Sequence, residues 1–152
     1  MSTIVSVARN FNNMAKGFSQ AVQNAIEQTK ESIADLNASQ LAQGIRSDGS
    51  KITPEYSTLT IELKLGQPGL SGIVDRVTLY NEGNFYRGIT VTNITPSTYD
   101  ITSTDWKTKK LEDKYGVKIL GLTVENRSEY AKGPFWIKLK AYIESTSKLR
   151  LS

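Results

Sequence analysis

The 152-residue chain contains no cysteine and no histidine. The first absence excludes disulfide staples, thiolate metal ligands and cysteine nucleophiles; the second excludes imidazole ligands and every mechanism that needs an imidazole base. What is left for acid–base work is carboxylate chemistry. Glycoside hydrolysis needs two carboxyl groups about 5 to 9.5 Å apart, one of them with a raised pKa. Here the carboxylates are scattered: Glu112 and Asp113 are adjacent, so on a helix they point apart, and their lysine neighbours favour the ionised form of both. No Asp-x-Asp-x-Asp-Gly calcium loop is present, and Asp48-Gly49 alone is a turn. The expectation is a protein without catalysis, metal or cofactor. Long apolar runs are missing too. The start has only Ile4-Val5 before Ser6 and no basic stretch ahead of it, so neither a signal peptide nor a membrane span is expected, and assembly in a cytoplasm follows.

What the chain does have is a composition that folds: 38% hydrophobic and 22% charged residues, with 11 Gly and 4 Pro, in a length that suits one domain. Its net charge of +4 is unevenly placed. The first hundred residues are neutral or slightly acidic, whereas residues 101–152 carry eleven basic groups against six acidic ones. Such a surplus marks either a surface for nucleic acid or an acidic partner, or a solvated helix face kept for solubility.

Three parts follow one another: a helical arm over 1–44, a β-rich centre over 45–104 and a basic helical part over 105–152. In the first, Phe11, Met14, Ala15, Phe18, Val22, Ala25, Ile26, Ile33 and Leu36 recur at three- and four-residue intervals, with Gly17 the only breaker. A helix from about Ala8 to Leu36 would be about 43 Å long. Either it projects, with Phe11, Met14, Phe18, Val22 and Ile26 facing another subunit, or a large core of its own absorbs the stripe. Asn37 and Gln40 predict a capping box for a short second helix, Ala38 to Ala42, stopped by Gly44. Thr58 to Leu65 alternates apolar and polar residues and predicts a strand. Val77 to Tyr80, Asn84 to Ile94 and Ser97 to Ser103 read as strands of antiparallel hairpins. Asp105 caps a helix from about Trp106 to Tyr115, Glu125 to Ala131 is helical, Gly133-Pro134 breaks the chain, and Phe135, Trp136, Leu139, Tyr142 and Ile143 form the apolar face of a last helix. The expected fold is α+β: a small antiparallel sheet flanked by a long N-terminal helix and C-terminal helices.

Three further motifs invite binding readings. The loop Gly66 to Gly72 lacks a Gly-Lys-Ser/Thr ending and does not run from a strand into a helix, so its amides are not aimed at a phosphate. Tyr80, Phe85 and Tyr86 sit beside a turn with only Arg76 and Arg87 near them, which favours packing over base stacking. Lys107, Lys110 and Lys114 share one face of the predicted helix at a spacing that grips duplex phosphates without reading sequence.

Gln40-Leu41-Ala42-Gln43-Gly44, then Asp48-Gly49, Thr53-Pro54-Glu55-Tyr56-Ser57, Thr60 and Lys64, and then Val77 through Tyr86, follow one another in an order that resembles tailed-phage virion morphogenesis proteins of the tail-completion and head-to-tail connector kind. The versions from phages of Bacteroidota, crAss-like phages included, are the most similar; Leu111 to Gly116, Ile119 to Thr123 and Glu125 to Arg127 extend the likeness, which spans about residues 36 to 130. Asn81-Glu82-Gly83 stands where the family pattern has Asp-Thr-Gly, and Gly133-Pro134 interrupts what is commonly a continuous last helix. The resemblance also leaves Thr58 to Leu65 helical or irregular as an alternative to a strand.

The resemblance implies no catalytic residues. It implies a structural subunit of a neck or tail ring, located in the virion, whose partners are copies of itself and adjoining portal, neck or tail proteins. A ring that closes by rotation shows two different faces to its neighbours. A nucleic-acid-associated virion protein making nonspecific DNA contact, and a nonstructural assembly chaperone, are the alternatives.

Overall fold

A computed structural model describes residues 4–152. The fold is α+β, with a long first helix, a two-stranded antiparallel sheet and helices after it. Helix α1 runs Ile4–Ala42 without interruption. At about 1.5 Å per residue it is about 58 Å long, well beyond the roughly 30 Å diameter of a small domain. Its first part extends beyond the core, flanked by the chain's last helix: among residues 4–20 none is buried, and the buried positions begin at Ala21.

The expected break at Leu36 does not occur, because Asn37 and Gln40 spend their side chains elsewhere. Asn37, fully buried, donates through Nδ2 to the carbonyl of Ile119 (3.1 Å) and accepts from the Gly121 amide (3.1 Å). Gln40 donates to the Gly121 carbonyl (3.1 Å) and accepts from the Thr123 amide (2.9 Å) and the Asn126 side chain (3.1 Å). These amides therefore fasten α1 to the 119–126 segment rather than capping a new helix. Gly44, at φ +74°, ends α1 as expected. Its amide donates to Leu41 and that of Ile45 to Gln40, the paired bonds of a Schellman motif.

The centre is less β-rich than expected. Thr58–Lys64 is helix α2, not a strand: the Ser57 hydroxyl accepts from the Thr60 amide, a cap that strand alternation conceals. Val77 to Tyr80 is irregular, because two tyrosines take the backbone groups a strand would need. The Thr78 amide donates to Tyr56 Oη (3.0 Å) and Tyr86 Oη donates to the Thr78 carbonyl (2.5 Å), so this fully buried residue is satisfied without a ladder. A 3-10 turn covers Gly69–Gly72, and the expected strand from Asn84 is helix α3, Asn84–Gly88, before β1, Ile89–Thr92. β2, Asp100–Ser103, pairs with β1 in the register Ile89 to Ser103 and Thr92 to Asp100.

Helix α4, Thr108–Tyr115, follows Asp105, whose carboxylate accepts from the Lys107 amide, and Gly116 at φ +89° stops it. After a 3-10 turn, Val117–Ile119, come α5, Val124–Tyr130, and α6, Trp136–Ser147. Gly133-Pro134 does not break the chain between them. A π-helical turn, Ala131–Phe135, bridges the two, and its wider winding accommodates the proline that has no N–H to donate.

Two clusters form the core. One joins Leu41, Ile52, Val77, Phe85, Ile89, Tyr115 and Ile119; the other joins Ile26, Ile33, Val91, Leu122 and Tyr130 along the middle of α1. Each draws on all three parts of the chain. α6 runs back along α1, since the Tyr130 hydroxyl meets Thr29 (2.7 Å) and the Tyr142 hydroxyl donates to the Met14 carbonyl (2.9 Å). Gly17 permits that approach: a Cβ there would lie 2.5 Å from Tyr142 Oη.

Candidate interaction surfaces

The apolar stripe of α1 is divided by its surroundings. Ile26 is 6% exposed inside the second cluster and Val22 packs against it, so the chain's own core takes these two residues and they are not free to face a neighbour. Met14 is half-buried beneath Tyr142. Phe11 and Phe18, at 43% and 39% exposure, remain open to solvent. They continue to Val7 and to Ile4, which is 89% exposed. Ile4, Phe11 and Phe18 are seven residues apart, with Val7 and Met14 at the intervening positions. This is the a/d spacing of a helix–helix seam. The sequence carries that signal in full, but a search that starts at Ala8 misses its first turn.

The stripe's polar neighbours are asparagine, glutamine and serine, with Arg9 and Lys16 the only charges before Glu27. Neither of the two is in an ion pair among the described residues. An exposed run of large apolar side chains on a projecting helix is the kind of surface that ends in a protein contact rather than in water.

The lysine face is present with a modification. Lys110 and Lys114 lie exposed on α4, while Lys107 precedes it and is half-buried. The ammonium of Lys107 sits 5.4 Å over the Trp106 ring and that of Lys114 5.1 Å over Tyr115. Adjoining cations are neutralised: Lys109 pairs with Asp113 (2.7 Å) and Lys118 with Asp48 (2.9 Å). Hydrogen bonding to Asp113 holds the Lys109 ammonium above its ordinary value. The three predicted phosphate contacts are thus cations without an ion-pair partner among the described residues.

An open cleft of about 970 Å³ lies between the β1–β2 hairpin and the Val117 to Leu122 segment. Asp48, Asp100 and Glu112 line it together with Arg127. Hydrogen bonds from the Ser50 hydroxyl, then from Lys118 and the Ser50 amide, hold the Asp48 carboxyl well below the usual carboxylate range. That is the opposite of what a general acid needs. Asp100 accepts from the Asn93 side chain, Nδ2, at 2.8 Å. Burial pushes the Tyr99 phenol up, despite the Arg127 guanidinium nearby. Among the described residues no cluster of three or more carboxylates is placed to hold a metal ion, and no helix is long and apolar enough to cross a membrane.

No family model, curated protein or solved structure matches the chain. Its chemistry has to be read from its own surfaces.

Proposed function

We propose that the protein works by assembly: it is a structural subunit of a tailed-phage virion, forming a ring in the neck or tail as a head-to-tail connector or tail-completion protein. The observation that carries the assembly reading is the open stripe Ile4, Val7, Phe11 and Phe18 on a helix about twice as long as a small domain is wide. Large apolar groups held out on a rigid rod gain free energy only when another surface covers them, at about 25 cal/mol per Å² removed from water. The phage setting is supported by the order of short motifs between residues 36 and 130. Neighbouring copies and the adjoining portal, neck or tail proteins are the partners this reading assigns. Cryo-electron microscopy of intact particles tests it: the chain should occupy an ordered ring at the neck or tail, and its absence from purified particles would overturn the virion role in favour of an assembly chaperone.

A second reading, a virion protein in nonspecific contact with DNA, is favoured by one observation. Among the described residues Lys107, Lys110 and Lys114 are without ion-pair partners while Lys109 and Lys118 beside them are paired. The two readings are compatible where a ring subunit faces the genome.

A further inference from the structure

The outer edge of β2 opens onto the large cleft. In an antiparallel pair, residues opposite one another alternate between hydrogen-bonded and non-bonded pairs. The Thr104 amide donates to the Gly88 carbonyl (2.9 Å), which makes that pair a bonded one at the end of the ladder. Stepping by two along the register makes Thr90–Thr102 and Thr92–Asp100 the next bonded pairs. Ile101, between them, turns its N–H and C=O away from β1, and it lines the cleft. An unpaired strand edge of this kind is a template for another strand.

The side chains around that edge state what the added strand must look like. Ile101 packs on the core side of the sheet, with Leu120 and Leu122 also lining the cleft, while Asp100 alternates to the other face and Glu112 lines the same cleft. Neither Asp100 nor Glu112 has an ion-pair partner among the described residues. The complement is an extended segment that is apolar on one face and basic on the other. The chain has a segment of that pattern: Lys148-Leu149-Arg150-Leu151-Ser152 alternates basic and apolar residues and follows α6 without regular structure. Its Leu149 and Leu151 amides donate to Ser147 Oγ and Glu144 Oε1, bonds that strand addition would exchange for bonds to β2.

This segment cannot reach the cleft of its own molecule. α6 runs antiparallel to α1 and passes Met14 at Tyr142, so Lys148 lies toward the start of α1. Ile101 packs on the cluster that contains Ile33. Met14 and Ile33 are about 29 Å apart along the helix, at about 1.5 Å per residue. Five extended residues span about 17 Å. The match is therefore between copies.

We propose that residues 148–152 of a second copy add to β2 as a third strand, with Leu149 and Leu151 on the Ile101 face and Lys148 and Arg150 against Asp100 and Glu112. This rests on the assembly reading and supplies it with a second contact, distinct from the α1 stripe. A ring needs two unlike faces on each subunit, and a segment that leaves one copy to enter the next provides them.

The test is binding of a labelled peptide of residues 147–152 to the full chain by fluorescence anisotropy. Saturable binding is expected, weakened at least tenfold by Asp100→Lys with Glu112→Lys and recovered when the peptide carries Glu in place of Lys148 and Arg150. N-methylation of alternate peptide amides gives the signature of strand addition: one phase abolishes binding and the other leaves it intact. Equal binding of a scrambled peptide, or indifference to both methylation phases, would reduce the contact to charge and overturn the proposal. Sedimentation of the parent beside a chain ending at Ser147 separates this from the assembly reading. Oligomers of unchanged size and stability in the shortened chain sink the strand contact alone; a parent chain that stays monomeric sinks the assembly reading and this contact with it.

Discussion

Asn37 is the residue whose loss the fold should feel most per atom removed. Its side chain is fully buried, donates to the Ile119 carbonyl and accepts from the Gly121 amide, each at 3.1 Å. Asn37→Leu keeps the volume close and improves helix propensity, so neither a cavity nor a weaker helix accounts for any loss. What the change does is leave two backbone groups without partners. An unsatisfied buried group costs about 1 to 3 kcal/mol. Ile119 is fully buried and belongs near the upper end, while Gly121 is half-buried and belongs near the lower, so the expected loss is about 4 kcal/mol. For a domain of this size that is a fall of about 8 to 16 °C in Tm. Urea denaturation should show a lower midpoint with an unchanged m-value. Ser39→Ala, an exposed change two residues on, should stay within about 0.5 kcal/mol. A loss under about 1 kcal/mol for Asn37→Leu would refute the view that buried amides fasten α1 to the 119–126 segment.

Three further outcomes follow from the structure. Gly17→Ala should fail to deliver the roughly 1 kcal/mol that alanine gains over glycine in a helix, because its Cβ would meet Tyr142 Oη at 2.5 Å; in the Tyr142→Phe background the same change should stabilise, as thermal melts of the four proteins would show. Asp48→Asn should lower stability at neutral pH. The folded-state pKa of Asp48 is depressed, so its contribution is present above its ordinary value of 3.8 and is lost as pH falls further, and the gap between parent and variant in melts should narrow from about pH 4 downward. If the chain binds DNA through Lys107, Lys110 and Lys114, changing all three to Gln should reduce the salt slope of binding by about two to three, at about 0.9 per phosphate contact. A flat salt dependence in the parent would end the DNA reading.

The parts of this fold that could be read from the sequence are those set by local rules. The 3.6-residue pattern gave the long helix, Gly44 and Gly116 ended helices where their positive φ is needed, and Asp48-Gly49 turned the chain. The parts that could not be read are those decided by a distant partner. Asn37 looks like a cap until Ile119 and Gly121 are placed beside it. Thr78 looks like a strand residue until the hydroxyls of Tyr56 and Tyr86 take its backbone groups. The Thr58 to Lys64 helix illustrates a different failure: in seven residues, alternation at Leu59, Ile61 and Leu63 fits a strand, and only the Ser57 cap argues against it. Of the stripe residues, Phe11 and Phe18 are where the periodicity pointed, and Ile26 is not free because the sheet and α5 cover it, which periodicity alone does not reveal.

The most direct test of assembly through the α1 stripe is sedimentation velocity of the parent chain beside a Phe11→Asp, Phe18→Asp double variant, with circular dichroism confirming that both are folded. Both side chains are about two-fifths exposed, so the variant should keep its fold. A charge buried without a partner in an interface costs several kcal/mol, so the contact should be lost. The account predicts a discrete oligomer for the parent and a monomer for the variant. Identical sedimentation of the two would contradict it.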